Sequence, residues 1–140
     1  LLLANLRLAA HRLDAAQQRS FEAQLRRLEH SQSKWRVAWG RKALHSFHAR
    51  LTQWNNYLAD YSTQPEGYAA QYPQEVRVRL MLALLQPLAD PIDPSAVDLL
   101  NSLDALLRVQ LKPGPFVWEE GMAEGFPQDT FWYLYGCLKE

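Results

Sequence analysis

The sequence predicts an all-α fold: a helical bundle with one long, bent N-terminal helix, or two in succession, packed against two or three shorter helices. Three observations carry that expectation. Apolar side chains recur at helical spacing from Phe21 to Tyr61. All eight prolines lie after residue 64. No segment alternates at period two with Val, Ile and Thr enrichment, and the best strand candidate, Phe116-Val117-Trp118, is too short to matter.

The helical series comprises Phe21, Leu25, Leu28, Trp35, Trp39, Ala43, Phe47, Leu51, Trp54, Leu58 and Tyr61, with polar Gln32 in one slot. Its mean step is about 3.6 residues, the period of a straight amphipathic helix rather than the 3.5 of a left-handed supercoil. Residues 1–62 contain one glycine, Gly40, and no proline. A helical arm is therefore expected over residues 1–61, running from about Leu3 to Tyr61. Unbroken, it would reach ~87 Å, against a radius of gyration of ~14 Å for a compact domain of this length. A break is expected near Gln32, where Ser31 and Ser33 are weak caps, or at Gly40. The stripe also drifts by roughly 80° between its two halves.

Ser62–Tyr72, with Pro65 and Gly67, reads as a loop. A central helical pair follows over residues 73–111. Its first member, about Pro73–Gln86, is apolar on most sides and so central. Pro87, Pro91 and Pro94 then break the chain, and Asp93-Pro94 starts the second member, about Pro94–Leu111. Pro113-Gly114-Pro115 reads as a stop. Tyr72-Pro73-Gln74-Glu75 and Phe126-Pro127-Gln128-Asp129 share one formula, in which Pro suits the first helical position and the acid meets the positive dipole end. The second copy is expected to open an aromatic C-terminal helix over 127–138, containing Phe131-Trp132-Tyr133-Leu134-Tyr135.

Composition bounds the function. With 140 residues, 48% hydrophobic and 21% charged, the chain is expected to be one globular domain, 1–140, and not disordered. One cysteine excludes an intrachain disulfide and a cysteine zinc site. It also fits a reducing compartment, so a cytoplasmic location is expected. No apolar run approaches the ~18 residues of a membrane span. Leu1-Leu2-Leu3 is expected to form the first turn of the first helix, with the remnant of a signal or anchor segment as the alternative.

A net charge of zero hides an asymmetry. Residues 1–62 hold ten Lys/Arg against four Asp/Glu, +6, and residues 63–140 hold five against eleven, −6. Arg12, Arg19, Arg26, Lys34 and Arg41 recur at steps of seven or eight, which puts them on one helical face. That stripe suits an anionic partner, nucleic acid among them, or a solvated face balanced by the acidic remainder. The sequence pI of about 7.1 lacks the excess charge of a dedicated nucleic-acid binder.

Other chemistry is sparse. His45 and His48 stand three apart, as a pair of helical metal ligands can, but no HExxH, Glu-x-x-His pair or cysteine cluster completes a site. Glu119, Glu120, Glu124 and Asp129 could pair as acid and base, though acids in a loop ahead of a helix are more often solvated or capping. Cys137 reads as a small core residue of the last helix. No cofactor and no catalytic residue is expected. Trp35, Trp39 and Trp54 are expected in the core, whereas Trp118, Phe131, Trp132 and Tyr135 are candidates for a subunit interface.

These residues carry no motif that identifies a family. The function expected from them is a non-enzymatic protein–protein interaction or scaffolding module. It would be a self-associating homo-oligomer, a dimer foremost, or bind another protein. An anion- or nucleic-acid-binding module is the alternative, and a metal-dependent enzyme the third.

Overall fold

A computed structural model describes residues 13–89 and 91–139, apart from the side chain of Gln32. The class is the expected one, all-α, with a small two-stranded sheet added at the C-terminal end. The long N-terminal segment forms two helices in succession, α1 (Ala15–Lys34) and α2 (Arg36–Thr63). The part of the expected arm before residue 13, Arg12 included, lies outside the described residues.

α1 starts on a reciprocal cap. Asp14 Oδ1 accepts from the backbone N–H groups of Ala16 and Gln17 at 2.9 and 2.8 Å, and Gln17 Oε1 accepts from the Asp14 N–H at 3.1 Å. Two otherwise orphaned donors are satisfied at once. The break falls between the two expected points, at Trp35, with φ −110° and ψ 22°. Helical hydrogen bonds still run through it, from Trp35 N–H to the Ser31 carbonyl and from Trp39 N–H to the Trp35 carbonyl. The stretch holds Ser31, Ser33, Trp35, Val37 and Trp39, all weaker helix formers than Leu, Arg or Gln, so local propensity is low there.

The expected loop over Ser62–Tyr72 is instead almost wholly helical. α2 continues to Thr63, Gln64 alone leaves the helical region, and α3 (Pro65–Tyr68) and a 3-10 turn (Ala69–Gln71) lead into α4 (Tyr72–Leu85). Pro65 explains the single-residue break, because its ring disfavours helical geometry in the residue before it. Asp93 caps α5 (Pro94–Gln110) by accepting from the Ser95 N–H at 3.0 Å.

The core is built on the second half of the stripe. Ala43, Phe47, Leu51, Trp54, Leu58 and Tyr61 are buried, joined by Tyr57. Against them pack Tyr72, Val76, Leu80 and Leu82 of α4 and Ala96, Leu100, Leu103 and Leu107 of α5. Burying each large apolar side chain stabilises the fold by about 1.5–3 kcal/mol.

The C-terminal segment corrects the sequence reading. The expected stop at Pro113-Gly114-Pro115 lies within a strand, β1 (Leu111–Phe116). The expected helix over 127–138 is one 3-10 turn (Trp132–Leu134) followed by β2 (Tyr135–Leu138). The strands are antiparallel, with Leu111 opposite Leu138, Lys112 opposite Cys137 and Pro113 opposite Gly136, and the register shifts before Phe116 meets Tyr135. The Phe126-Pro127 formula starts only one helical turn, closed by the Phe131 N–H on the Pro127 carbonyl. Ring-rich Phe131–Tyr135 also favours extended over helical backbone.

One buried charge links these layers. Arg79 of α4 is buried and forms a two-pronged ion pair with Asp104 of α5, Nε to Oδ1 and Nη2 to Oδ2, both at 2.7 Å. Its Cζ lies 4.6 Å from the Tyr133 ring centroid, and the Tyr72 hydroxyl donates to the Tyr133 carbonyl at 2.5 Å. Helix, helix and C-terminal segment thus meet at one guanidinium. Burial lowers the Arg79 pKa, but the hydrogen bond and charge of Asp104 outweigh it, so the group is held above its usual value.

Asp104→Ala strands this cation and is expected to cost about 3–5 kcal/mol, read as a lower urea midpoint. Adding Arg79→Met is expected to restore most of that loss.

Alkaline pH tests the same region. Burial raises the phenols of Tyr57 and Tyr72, and pushes Tyr133 up to about 12. The unfolded chain loses these protons near pH 10, so stability is full below that and falls as pH rises above it. Tyr133 alone accounts for roughly 2 kcal/mol of the fall by pH 12, and Tyr133→Phe is expected to remove that share from a denaturation series.

Candidate interaction surfaces

The aromatic stripe continues past the bundle that covers it. Trp39 stands four residues before Ala43, the first buried position of α2, and Trp35 stands four before that, on the same helical face. Trp35 is 58% exposed, Trp39 46% and Val37, on the other side, 72%. Trp54 is fully buried as expected, whereas Trp35 and Trp39 are not core residues of this chain. The start of α5, at Asp93, lies near His48, nine residues along α2 from Trp39. Phe21, Leu25 and Leu28 of α1 are half-buried.

Basic groups surround the exposed tryptophans. Arg19, Arg26, Lys34 and Arg41 of the expected stripe are exposed, as are Arg27, Arg36 and Lys42. Over residues 15–42 there are seven Lys/Arg and two Asp/Glu, a balance of +5. The opposite charge sits on the rest of the surface, where Asp60, Glu66, Asp93, Asp98, Glu119, Glu120, Glu124 and Asp129 are exposed.

The four aromatic interface candidates are each engaged within the chain and only half-exposed. Trp118 Nε1 donates to the Pro73 carbonyl at 2.6 Å, and its ring meets Phe116 and Phe126 edge to face. The Tyr135 hydroxyl donates to the Phe126 carbonyl at 2.6 Å. Phe131 packs edge-on to Phe126 at 5.4 Å. Trp132 lies under the Arg108 guanidinium, 3.8 Å from Cζ to ring centroid, a cation–π contact that holds the segment to α5. Both formula aromatics, Tyr72 and Phe126, are fully buried.

His45 and His48 are exposed on α2, and His48 meets Phe47 edge to face at 6.2 Å. Among the described residues no three His, Cys, Asp or Glu side chains are grouped so as to hold a metal ion. Glu119, Glu120 and Glu124 are exposed around a 3-10 turn (Glu120–Gly125), and Asp129 is exposed beyond it. Cys137 is exposed on β2, not buried in a helix as expected, because the strand alternates its side chains and buries Gly136 and Leu138 instead. No helix among the described residues is long and apolar enough to cross a membrane.

Sequence reasoning missed Arg79 and Asp104. Asp104 is a lone charge in the run Leu103-Asp104-Ala105-Leu106-Leu107, and that interruption was the available signal, whereas Arg79 follows Arg77 and Glu75 at alternate positions and gave none. Comparison with protein-family models, with curated proteins and with solved structures finds no match to this chain.

The C-terminal ribbon depends on one glycine. Gly136 has φ 146°, and a Cβ there would stand 2.3 Å from the Lys112 carbonyl oxygen across the strand pair. Gly136→Ala is expected to destabilise by more than about 1 kcal/mol and to loosen the packing of Trp132 and Tyr135, seen as reduced near-UV circular dichroism.

Proposed function

We propose that this chain is a non-enzymatic interaction module that self-associates, as a dimer foremost, through the Trp35–Trp39 end of α2. The observation that carries the reading is the core stripe that outruns its cover, leaving two tryptophans exposed on one face. Large aromatic side chains of this kind anchor interfaces. A second copy suits the charge distribution, since the +5 segment of one chain can face the acidic surface of the other. A dimer would bury about 800 Å² on each partner, enough to take in the tryptophans and their neighbours. The cytoplasm is the compartment this reading assumes.

Sedimentation across the micromolar range should show a reversible dimer. Trp35→Ala with Trp39→Ala should raise its dissociation constant by about tenfold or more, while the melting temperature of the bundle barely moves. High salt should weaken association in the same assay. A chain that stays monomeric at every concentration and salt level rules the proposal out.

A second reading draws on the same residues. Exposed Trp35 and Trp39 interleaved with Lys34, Arg36, Arg41 and Lys42 match the stacking-plus-charge pattern of single-strand nucleic-acid binding. A single-stranded oligonucleotide that fails to shift in low-salt buffer removes it.

A further inference from the structure

A groove of about 430 Å³ opens between the solvent side of α2 and the turn that leads into α4. Its lining owes nothing to the tryptophan end of the molecule. α2 contributes Thr52, Asn56 and Asp60, which recur every four residues on one helical face, and the facing wall is made of Tyr68, Gln71 and Glu75. Tyr57 forms part of the base, its ring stacked on buried Trp54 with centroids 5.5 Å apart.

The hydrogen-bonding inventory of this groove is one-sided. Three of its donors turn back onto the chain's own carbonyls: Thr52 Oγ1 to His48, the Tyr57 hydroxyl to Tyr68 and Gln71 Nε2 to Gly67, all at 3.1 Å. Among the other polar groups of the lining, acceptors outnumber donors: the carboxylates of Asp60 and Glu75 and the amide oxygen of Gln71, beside Gln53, whose Oε1 accepts from Arg50 Nη1 at 3.0 Å and whose amide N–H groups remain as donors. Asn56 offers both a donor and an acceptor. Neither carboxylate is hydrogen-bonded or ion-paired among the described residues, and no Lys or Arg lines the groove. Glu75 is also half-buried, so its charge is felt locally: after burial itself, it is the next cause that raises the Tyr57 phenol.

We propose that this groove is a binding site for a small organic cation, an alkylammonium or guanidinium group held between Asp60 and Glu75. Such a group supplies several donors and a positive charge to a concave surface with unused acceptors and two negative ones. The groove is wide and open, and its volume accommodates a group of the size of a lysine or arginine side chain. That chemistry has two sources, a free amine or guanidine and the side chain of a polypeptide. The site is independent of self-association, so neither proposal depends on the other.

Backbone amide chemical shifts of the full chain, titrated with putrescine, arginine methyl ester and a blocked arginine-containing peptide, test it. Saturable shifts confined to residues around Asn56, Asp60, Gln71 and Glu75 are expected at millimolar ligand or below. The two free cations reporting such shifts identify a small-molecule site, and the peptide alone reporting them identifies a side chain as the source. Nα-acetyl citrulline methyl amide, which keeps the shape of arginine and carries no charge, should leave the spectrum unchanged. Asp60→Asn with Glu75→Gln should weaken binding by about tenfold or more while the dispersed spectrum of the fold persists. No saturable shift with any of the three probes overturns the proposal. So does an equal response to the citrulline control, or the same shifts produced by calcium or magnesium at lower concentration than by the organic cations.

Discussion

A single guanidinium in the interior constrains most of this structure. Arg79 has to leave water for α4 to pack, and a buried cation is tolerated only where its charge and donors are met. Asp104 meets two of the donors in a planar fork, which fixes the rotation of α4 against α5. The Tyr133 ring covers the face of the same group, and Tyr72 holds the Tyr133 backbone from below. The C-terminal segment is thereby placed by contacts that no apolar side chain could direct. The fit is incomplete, since among the described residues Arg79 Nη1 and the Tyr133 hydroxyl are buried without a partner. Such a pair adds little to net stability relative to apolar residues of the same volume, and its contribution here is to orient three elements at one point.

Around that point the molecule divides by how well its main helix is covered. From Ala43 to Tyr61 the stripe of α2 is closed off by α4 and α5. The two covering helices have 14 and 17 residues against 28 in α2, so they cannot reach its first turns. The exposed tryptophans and the basic charge gather at the uncovered end, and most of the acidic charge on the rest. On the proposed reading, that open apolar end ringed by charge is the surface a second copy covers.

The two sheet strands show why local reading failed at the C-terminus. Pro113 and Pro115 signal the end of a helix correctly, yet the same prolines are tolerated in an edge strand, where they also remove donors that another chain could pair with. Phe131–Tyr135 is apolar on all sides, which a buried helix and a buried turn explain equally well. The long-range bonds decide between them: Val117 N–H to the Leu134 carbonyl, Trp118 Nε1 to Pro73 and the Tyr61 hydroxyl to the Lys139 carbonyl. None of these partners is near the other in sequence. The same holds for the groove, which Asp60 and Glu75 both line although they lie on different helices, with the break at Gln64 between them. The exposed basic face of α1 was legible from spacing, while the exposure of Trp35 and Trp39 was not, because periodicity shows which face is apolar and not how far the cover extends.

The sequence by itself determined the helical class, the face of α2 that builds the core, the start of α5 at Asp93-Pro94 and the opposed charges of the two parts. Each of these follows from spacing, capping or charge within one segment, where the physics is local. Tertiary structure alone decided the strand pair in place of a last helix, the partner of Arg79 and the point where the stripe of α2 emerges from its cover. Those depend on which distant groups meet and on the lengths of the helices that do the covering, and neither is written in any one stretch of the chain.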